Sequence, residues 1–200
     1  SGALLEAAVL SILPKELVRI SEEIQQSDID KDILIFEQVK RRSILVSTDS
    51  VCDLPEALRR EFSISICPYY VCTEEGRFLD EQELKTDQIL AHISMGRKGT
   101  SQPPDVRDYE LFFAERLTEA QNIIHITMAR NVSEGYQNAL EAAKSFENVT
   151  VLDSGHLSSS LGLVVLNAAY MAEHQAAKAD IVEAVKRLER LISSAFIINS

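Results

Sequence analysis

Tryptophan is absent, and glycine and proline are scarce, at 7 and 5 of 200 residues. These shortages exclude collagen-like and linker-like chains and most aromatic cages for cationic ligands. Cysteine is sparse as well. Cys52, Cys67 and Cys72 form no CxxC pair, and no histidine stands at zinc-ligand spacing beside them. Cys67 and Cys72 share an apolar run with Tyr69, Tyr70 and Val71, so reduced core thiols in a cytoplasmic protein are expected. Positive charge is in deficit, with 20 Lys and Arg against 31 Asp and Glu and a net charge of −11. That balance opposes nucleic acid or an anionic membrane surface as the main partner, because both reward clustered cations. No apolar stretch approaches the roughly 20 residues that span a bilayer, so no integral membrane segment is expected. Residues 3–13 carry Glu6, stop at Pro14 and lack a basic leader, which makes a poor signal peptide. Neither GxGxxG nor GxxxxGK[ST] occurs, and no carboxylates cluster at metal spacing, so no nucleotide, metal or other cofactor is indicated.

What the chain does contain falls into two parts. Over residues 1–42, Leu4, Leu5, Ala8, Val9 and Ile12, then Leu17, Val18, Ile20 and Ile24, then Ile33, Leu34, Phe36 and Val39 recur at helical spacing. This reads as a helical appendage, either the tail of a preceding domain or an element for homodimerisation. The opening Ser-Gly reads as a cloning remnant followed by a start within a longer protein. From Ser43 short apolar runs alternate with amphipathic stretches. Strands are expected at 43–47, 64–73, 122–127, 149–152 and 195–198. Helices are expected at 55–62, 86–95, 106–120, 133–146, 158–174 and 179–193, with Asp53 and Asp105 as caps. The segment 96–104 reads as a loop. Alternating strands and helices predict an α/β fold, a mostly parallel sheet with helices on both faces.

Ligands of such sheets bind beyond the carboxyl ends of the strands, which directs attention to four segments. Ser47-Thr48-Asp49-Ser50 brings a carboxylate and hydroxyls after the first strand. Gly99-Thr100-Ser101-Gln102-Pro103-Pro104 is a stiff loop able to present hydroxyls and N–H groups to an anion. Thr127–Ser133 leads from a strand end into a helix N-terminus and holds Arg130, whose guanidinium can fork onto a carboxylate or phosphate. Leu152-Asp153-Ser154-Gly155-His156 follows the fourth strand. No nucleophile elbow accompanies His156, so a hydrolytic triad is not supported there.

Taken together and in this order, these segments resemble the DegV family of bacterial fatty-acid-binding proteins over about residues 43–200. The resemblance rests on Ser47-Thr48-Asp49-Ser50 with Asp53-Leu54-Pro55, on Thr100-Ser101-Gln102-Pro103, on Ile126-Thr127 with Ser133 and Gly135-Tyr136-Gln137-Asn138-Ala139, and on Val149-Thr150-Val151-Leu152-Asp153-Ser154. It implies two lobes with a long-chain fatty acid in a tunnel between them. It also implies a carboxylate held by hydroxyls of the first lobe, notably Thr100, and delivery of the acyl chain to a separate fatty acid kinase. The protein would then be a cytoplasmic carrier, not an enzyme. Two departures stand out. The family's Ser-Ser pair, followed by Gly-Leu-Ser-Gly-Thr-Tyr, is here Ala129-Arg130 followed by Asn131-Val132-Ser133-Glu134-Gly135-Tyr136. Either Arg130 replaces the serines with a charge-assisted pair or the ligand class has changed. Second, the sequence stops within what reads as the strand linking to a second lobe, so the 200 residues alone are expected to bind long-chain acids weakly or not at all. The expected head-group set is Thr100, Ser101 and Arg130, supported from behind by Asp49, Ser50, Asp153 and Ser154. Two other readings stand beside it: a small phosphotransferase or hydrolase with Asp49 or His156 as acid–base group, and an interaction module without ligand.

Overall fold

In the computed structural model, residues 41–193 and 195 are described. The short apolar run Ile44-Leu45-Val46 lies in β1 (Arg42–Asp49), whose last five residues are buried. A one-turn 3-10 segment (Ser50–Cys52) leads to α1 (Glu56–Glu61) and then β2 (Ser65–Cys67). Three short strands and a helix follow: β3 (Tyr70–Thr73), β4 (Gly76–Leu79), α2 (Thr86–Ser94) and β5 (Thr100–Gln102). The remainder alternates regularly as α3 (Val106–Arg116), β6 (Ala120–Thr127), α4 (Gly135–Ala143), β7 (Val149–Asp153), α5 (Ser158–Glu173) and α6 (Lys178–Leu191).

Strands β2, β1, β6 and β7 make a parallel sheet in that order. Consecutive side chains of a strand point to opposite faces, so a central parallel strand must be apolar on both. Val46, Ile124 and Ile126 therefore pack with Leu161, Val164 and Val165 of α5 and Ile181 and Val185 of α6. Leu45 and Ile123, one residue out of phase, pack with Tyr109 and Phe113 of α3 and Ala139 and Ala142 of α4. Helices thus cover both faces, as the sequence pattern predicts. Gly162 lets α5 lie directly on the turn after β1, since a Cβ there would meet the Cys52 carbonyl oxygen at 2.6 Å. No described helix is long and apolar enough to cross a membrane.

The structure corrects several expectations. The single strand expected at 64–73 is two, because Pro68 has no N–H to continue a ladder. β2 stays in the parallel sheet, whereas β3 leaves it for an antiparallel sheet of order β4-β3-β5. The expected loop at 96–104 therefore contains a strand, with Thr100 opposite Cys72 and Ser101 opposite Val71. Asp105 does cap α3, accepting from the Asp108 N–H. Asp53 does not cap α1: it adopts a left-handed backbone (φ 49°), and its carboxylate accepts from Ser158 Oγ. The expected helical appendage at 1–42 lies outside the described residues up to position 40. So does the expected strand at 195–198, apart from Ala195, which is irregular.

The strand order fixes where a ligand site belongs. β1 and β6 are neighbours, but the chain leaves β1 toward β2 on one side and β6 toward β7 on the other. Such a reversal opens a crevice beyond the strand carboxyl ends. The segments flanking it here are Asp49–Cys52 and Met128–Gly135.

Candidate functional site

At the end of β1, Asp49 has no solvent exposure. Its Oδ1 accepts from the Tyr109 hydroxyl at 2.9 Å and its Oδ2 from the Met128 N–H at 3.0 Å. A buried carboxylate needs such donors. Asp49 thereby ties the start of the post-β6 turn to β1 and to α3. Beneath it, Ser47 Oγ lies 3.0 Å from His125 Nδ1, and His125 Nε2 lies 3.4 Å from Asp49 Oδ1 without forming a hydrogen bond. Serine, histidine and aspartate are thus in contact, but all three are sealed, with aromatic rings of Tyr109, Phe112 and Phe113 against the imidazole. No substrate reaches them, and the trio is a strut between β1 and β6. Burial, reinforced by the charge of Asp49, pushes the Tyr109 phenol well above its ordinary range.

One layer outward, Ser50 Oγ donates to Asp80 Oδ2 at 2.7 Å and accepts from the Tyr69 N–H at 3.1 Å. Tyr69 is itself buried, and its Oη lies 2.8 Å from Ser133 Oγ. Ser133 Oγ also accepts from the Gly135 N–H at 3.1 Å, closing the first turn of α4. Position 135 must be glycine for this packing. A Cβ there would stand 2.4 Å from Tyr69 Oη and 3.2 Å from Tyr109 Oη.

On the β7 side, Asp153 Oδ1 accepts from the N–H groups of Arg130 and Gly155 at 3.2 and 2.9 Å. Its Oδ2 lies 3.3 Å from Arg130 Nε. The Arg130 side chain is 69% exposed, so this ion pair is anchored at one end and solvated at the other. Ser154 is fully buried, its hydroxyl exchanging hydrogen bonds with the backbone of His156. Arg130, Asn131, Val132, Ser133, Glu134, Tyr136 and Gln137 line a groove of about 470 Å³.

The expected site residues therefore divide. Arg130 reaches the rim. Thr100 and Ser101 are exposed on β5, and neither hydroxyl hydrogen-bonds to the rim groups among the described residues. They are connected to the rim indirectly, because the Pro104 carbonyl that follows them accepts from Asn138 Nδ2 of α4 at 2.9 Å. Asp49 and Ser154, expected behind the head-group set, are sealed and brace the rim from within, as Ser50 does in part. Asp153 is spent on Arg130 and on its own turn, so it is no partner for His156, whose Nε2 is buried without a hydrogen bond. Ser133 carries part of the sequence resemblance but is not in the expected head-group set, and Tyr69 and Tyr109 are in neither. A signal existed for His125, a polar residue inside the run Ile-Ile-His-Ile that had to find partners. None existed for Tyr69, which meets Ser133 across 64 residues.

Comparison with known proteins places this geometry. The model of the DegV family of uncharacterised proteins matches residues 43–200. A DegV domain-containing protein of Clostridium perfringens is 28% identical over 163 residues, covering 78% of this chain and 57% of that protein. One from Clostridium acetobutylicum is 30% identical over 158 residues, covering 75% and 56%. Among solved structures, a fatty-acid-binding DegV-family protein of Thermus thermophilus superposes with a TM-score of 0.69 at 28% identity, over 74% of this chain and 54% of that one. The chain spans about half the length of the curated relatives it matches. With the parallel sheet, the reversal at β1/β6 and the family match over residues 43–200 in agreement, the chain belongs to the DegV family.

Proposed function

We propose that these residues form the head-group lobe of a non-catalytic fatty-acid carrier of the cytoplasm. The acid's carboxylate docks at the rim of the β1/β6 crevice, and the acyl chain is presented to a separate kinase. The observation that carries this reading is the likeness, at 28% identity, to the fatty-acid-binding protein of Thermus thermophilus. Ser133 and Arg130 are assigned to the carboxylate from the α4 side, and Thr100 and Ser101 from β5.

Magnitudes divide the labour. Burying a methylene contributes roughly 0.8 kcal/mol, so about a dozen contribute on the order of 10 kcal/mol before the cost of association. A hydrogen bond to a charged head contributes about 1.5–3 kcal/mol. The tail governs affinity, and the rim governs orientation and choice of head group.

Of the two acid–base groups that a hydrolase or phosphotransferase would use, Asp49 is sealed and committed to two donors and His156 is buried, which favours the carrier reading. Native mass spectrometry of the full-length protein purified from cells tests the carrier reading. The expected result is a long-chain acyl adduct whose occupancy falls in Thr100→Ala. An empty protein that turns over a phosphorylated substrate would reverse the assignment.

A further inference from the structure

We infer that Tyr69 is a positioning residue that makes Ser133 a one-way hydrogen-bond donor into the groove lined by Arg130 and Tyr136, so that this rim selects an acceptor-only oxyanion over a neutral hydroxyl. The inference rests on the carrier reading for the identity of the oxyanion, and on hydrogen-bond accounting for its direction.

The accounting starts from Asp49. Both of its oxygens are occupied, by the Tyr109 hydroxyl and the Met128 N–H. Tyr69 cannot donate there, and its only hydrogen-bond partner for Oη among the described residues is Ser133 Oγ. Tyr69 is 3% exposed, so water does not relieve it. Burial also pushes its phenol far above the ordinary range, and the hydroxyl keeps its proton throughout the physiological range. A buried O–H that fails to donate is destabilising, so Tyr69 donates to Ser133. Ser133 Oγ then receives two hydrogens, from Tyr69 Oη and from the Gly135 N–H. A serine hydroxyl has two acceptor lone pairs and one proton. Both lone pairs are filled. The remaining proton has no acceptor among the described residues, and half-buried Ser133 lines the groove.

The groove's charges make this direction matter. Arg130 is already paired with Asp153, and Glu134 adds a negative charge to the lining. Coulomb attraction alone therefore gives little preference for an anion. A fixed donor does, because O–H donation to an ionised oxygen is about twice as strong as to a neutral one. Gly135 permits the arrangement by leaving room for the Tyr69 oxygen.

Two measurements on the full-length protein test it, using octanoate and octan-1-ol as probes. In mixed H₂O and D₂O, slow exchange of the hydroxyl should split the Tyr69 Cζ resonance, while Ser133 Cβ stays a single averaged line. The reverse pattern would mean that Ser133 donates to Tyr69, and overturns the inference. In NMR titrations, Tyr69→Phe should weaken octanoate about threefold, the scale of a hydroxyl losing its polarising partner, while octan-1-ol binding is unchanged. The same change should have no effect on octanoate in a Ser133→Ala background. An equal loss for both probes, or a loss that persists without Ser133, refutes the positioning role. Octanoate that binds nowhere on the full-length wild-type protein refutes the carboxylate reading of the groove, and the exchange pattern then decides the donor direction independently.

Discussion

Gly135→Ala is the most exacting perturbation of this rim, because two effects of opposite sign meet in one methyl group. Gly135 is the first residue of α4 and does not adopt a positive φ, so alanine is conformationally allowed and should gain up to about 1 kcal/mol of helix propensity. Against this, the new Cβ would lie 2.4 Å from Tyr69 Oη, whereas ordinary contact begins near 3.4 Å. The phenol must retreat by the difference, 3.4 − 2.4 = 1.0 Å. Its ring is buried against the core, and the retreat breaks the 2.8 Å bond to Ser133. An unsatisfied buried hydroxyl costs about 1–3 kcal/mol, and forcing extra volume into a packed core about as much again. The net expectation is a loss of about 3 kcal/mol in urea unfolding, with an unchanged m-value. In a Tyr69→Phe background the obstructing oxygen is gone, so the same substitution should be neutral or slightly stabilising. That change of sign is the decisive result. Equal costs in both backgrounds, or a neutral Gly135→Ala in the wild type, would show that the Tyr69 hydroxyl is not wedged between Gly135 and Ser133.

Asp49→Asn keeps the shape but turns one acceptor into a donor facing either Tyr109 Oη or the Met128 N–H; a loss of about 2–4 kcal/mol in urea unfolding is expected. Alkaline pH should also destabilise the fold. Burial pushes the Cys67 thiol well above its ordinary value of 9.0, with Asp49 adding to the effect. The unfolded chain therefore releases this proton first, and the stabilisation present below about pH 9 is lost as pH rises toward the folded value. Cys67→Ala should make the decline of unfolding free energy above pH 9 shallower by up to about 1.4 kcal/mol per pH unit, and an unchanged slope would count against the burial argument. Arg130→Ala should shift stability by less than about 0.5 kcal/mol, because the pair is solvated and Asp153 keeps two backbone donors. It should nevertheless weaken octanoate more than octan-1-ol, and equal weakening in NMR titration would remove Arg130 from the head-group set.

These predictions concern residues of unequal visibility in the sequence. β1, β6 and β7 were legible because strands buried on both faces must be continuously apolar, and Leu45/Val46 and Ile123/Ile124 carry that constraint locally. The antiparallel sheet was not. Thr100–Gln102 is three exposed residues between a glycine and prolines, the composition of a connector, and it is a strand only because β3 supplies its partners. The rim was legible as chemistry but not as geometry. Asp49 and Ser50 are adjacent and equally polar, yet the first is sealed by Tyr109 and Met128 while the second faces Asp80 and Tyr69. Which hydroxyl or carboxylate faces outward is decided by contacts 19 to 79 residues away, and no local pattern encodes those. The same physics bears on two of the places where the stretch after β6 departs from the pattern it resembles. Ala129-Arg130 in place of paired serines offers a cation in place of neutral donors, and that cation is shared between Asp153 and solvent. Replacing threonine by Gly135 opens the space that the Tyr69 oxygen fills. In the carrier reading proposed above, the acid is gripped by a hydroxyl oriented from behind as well as by Arg130, the charge that the sequence displays most openly.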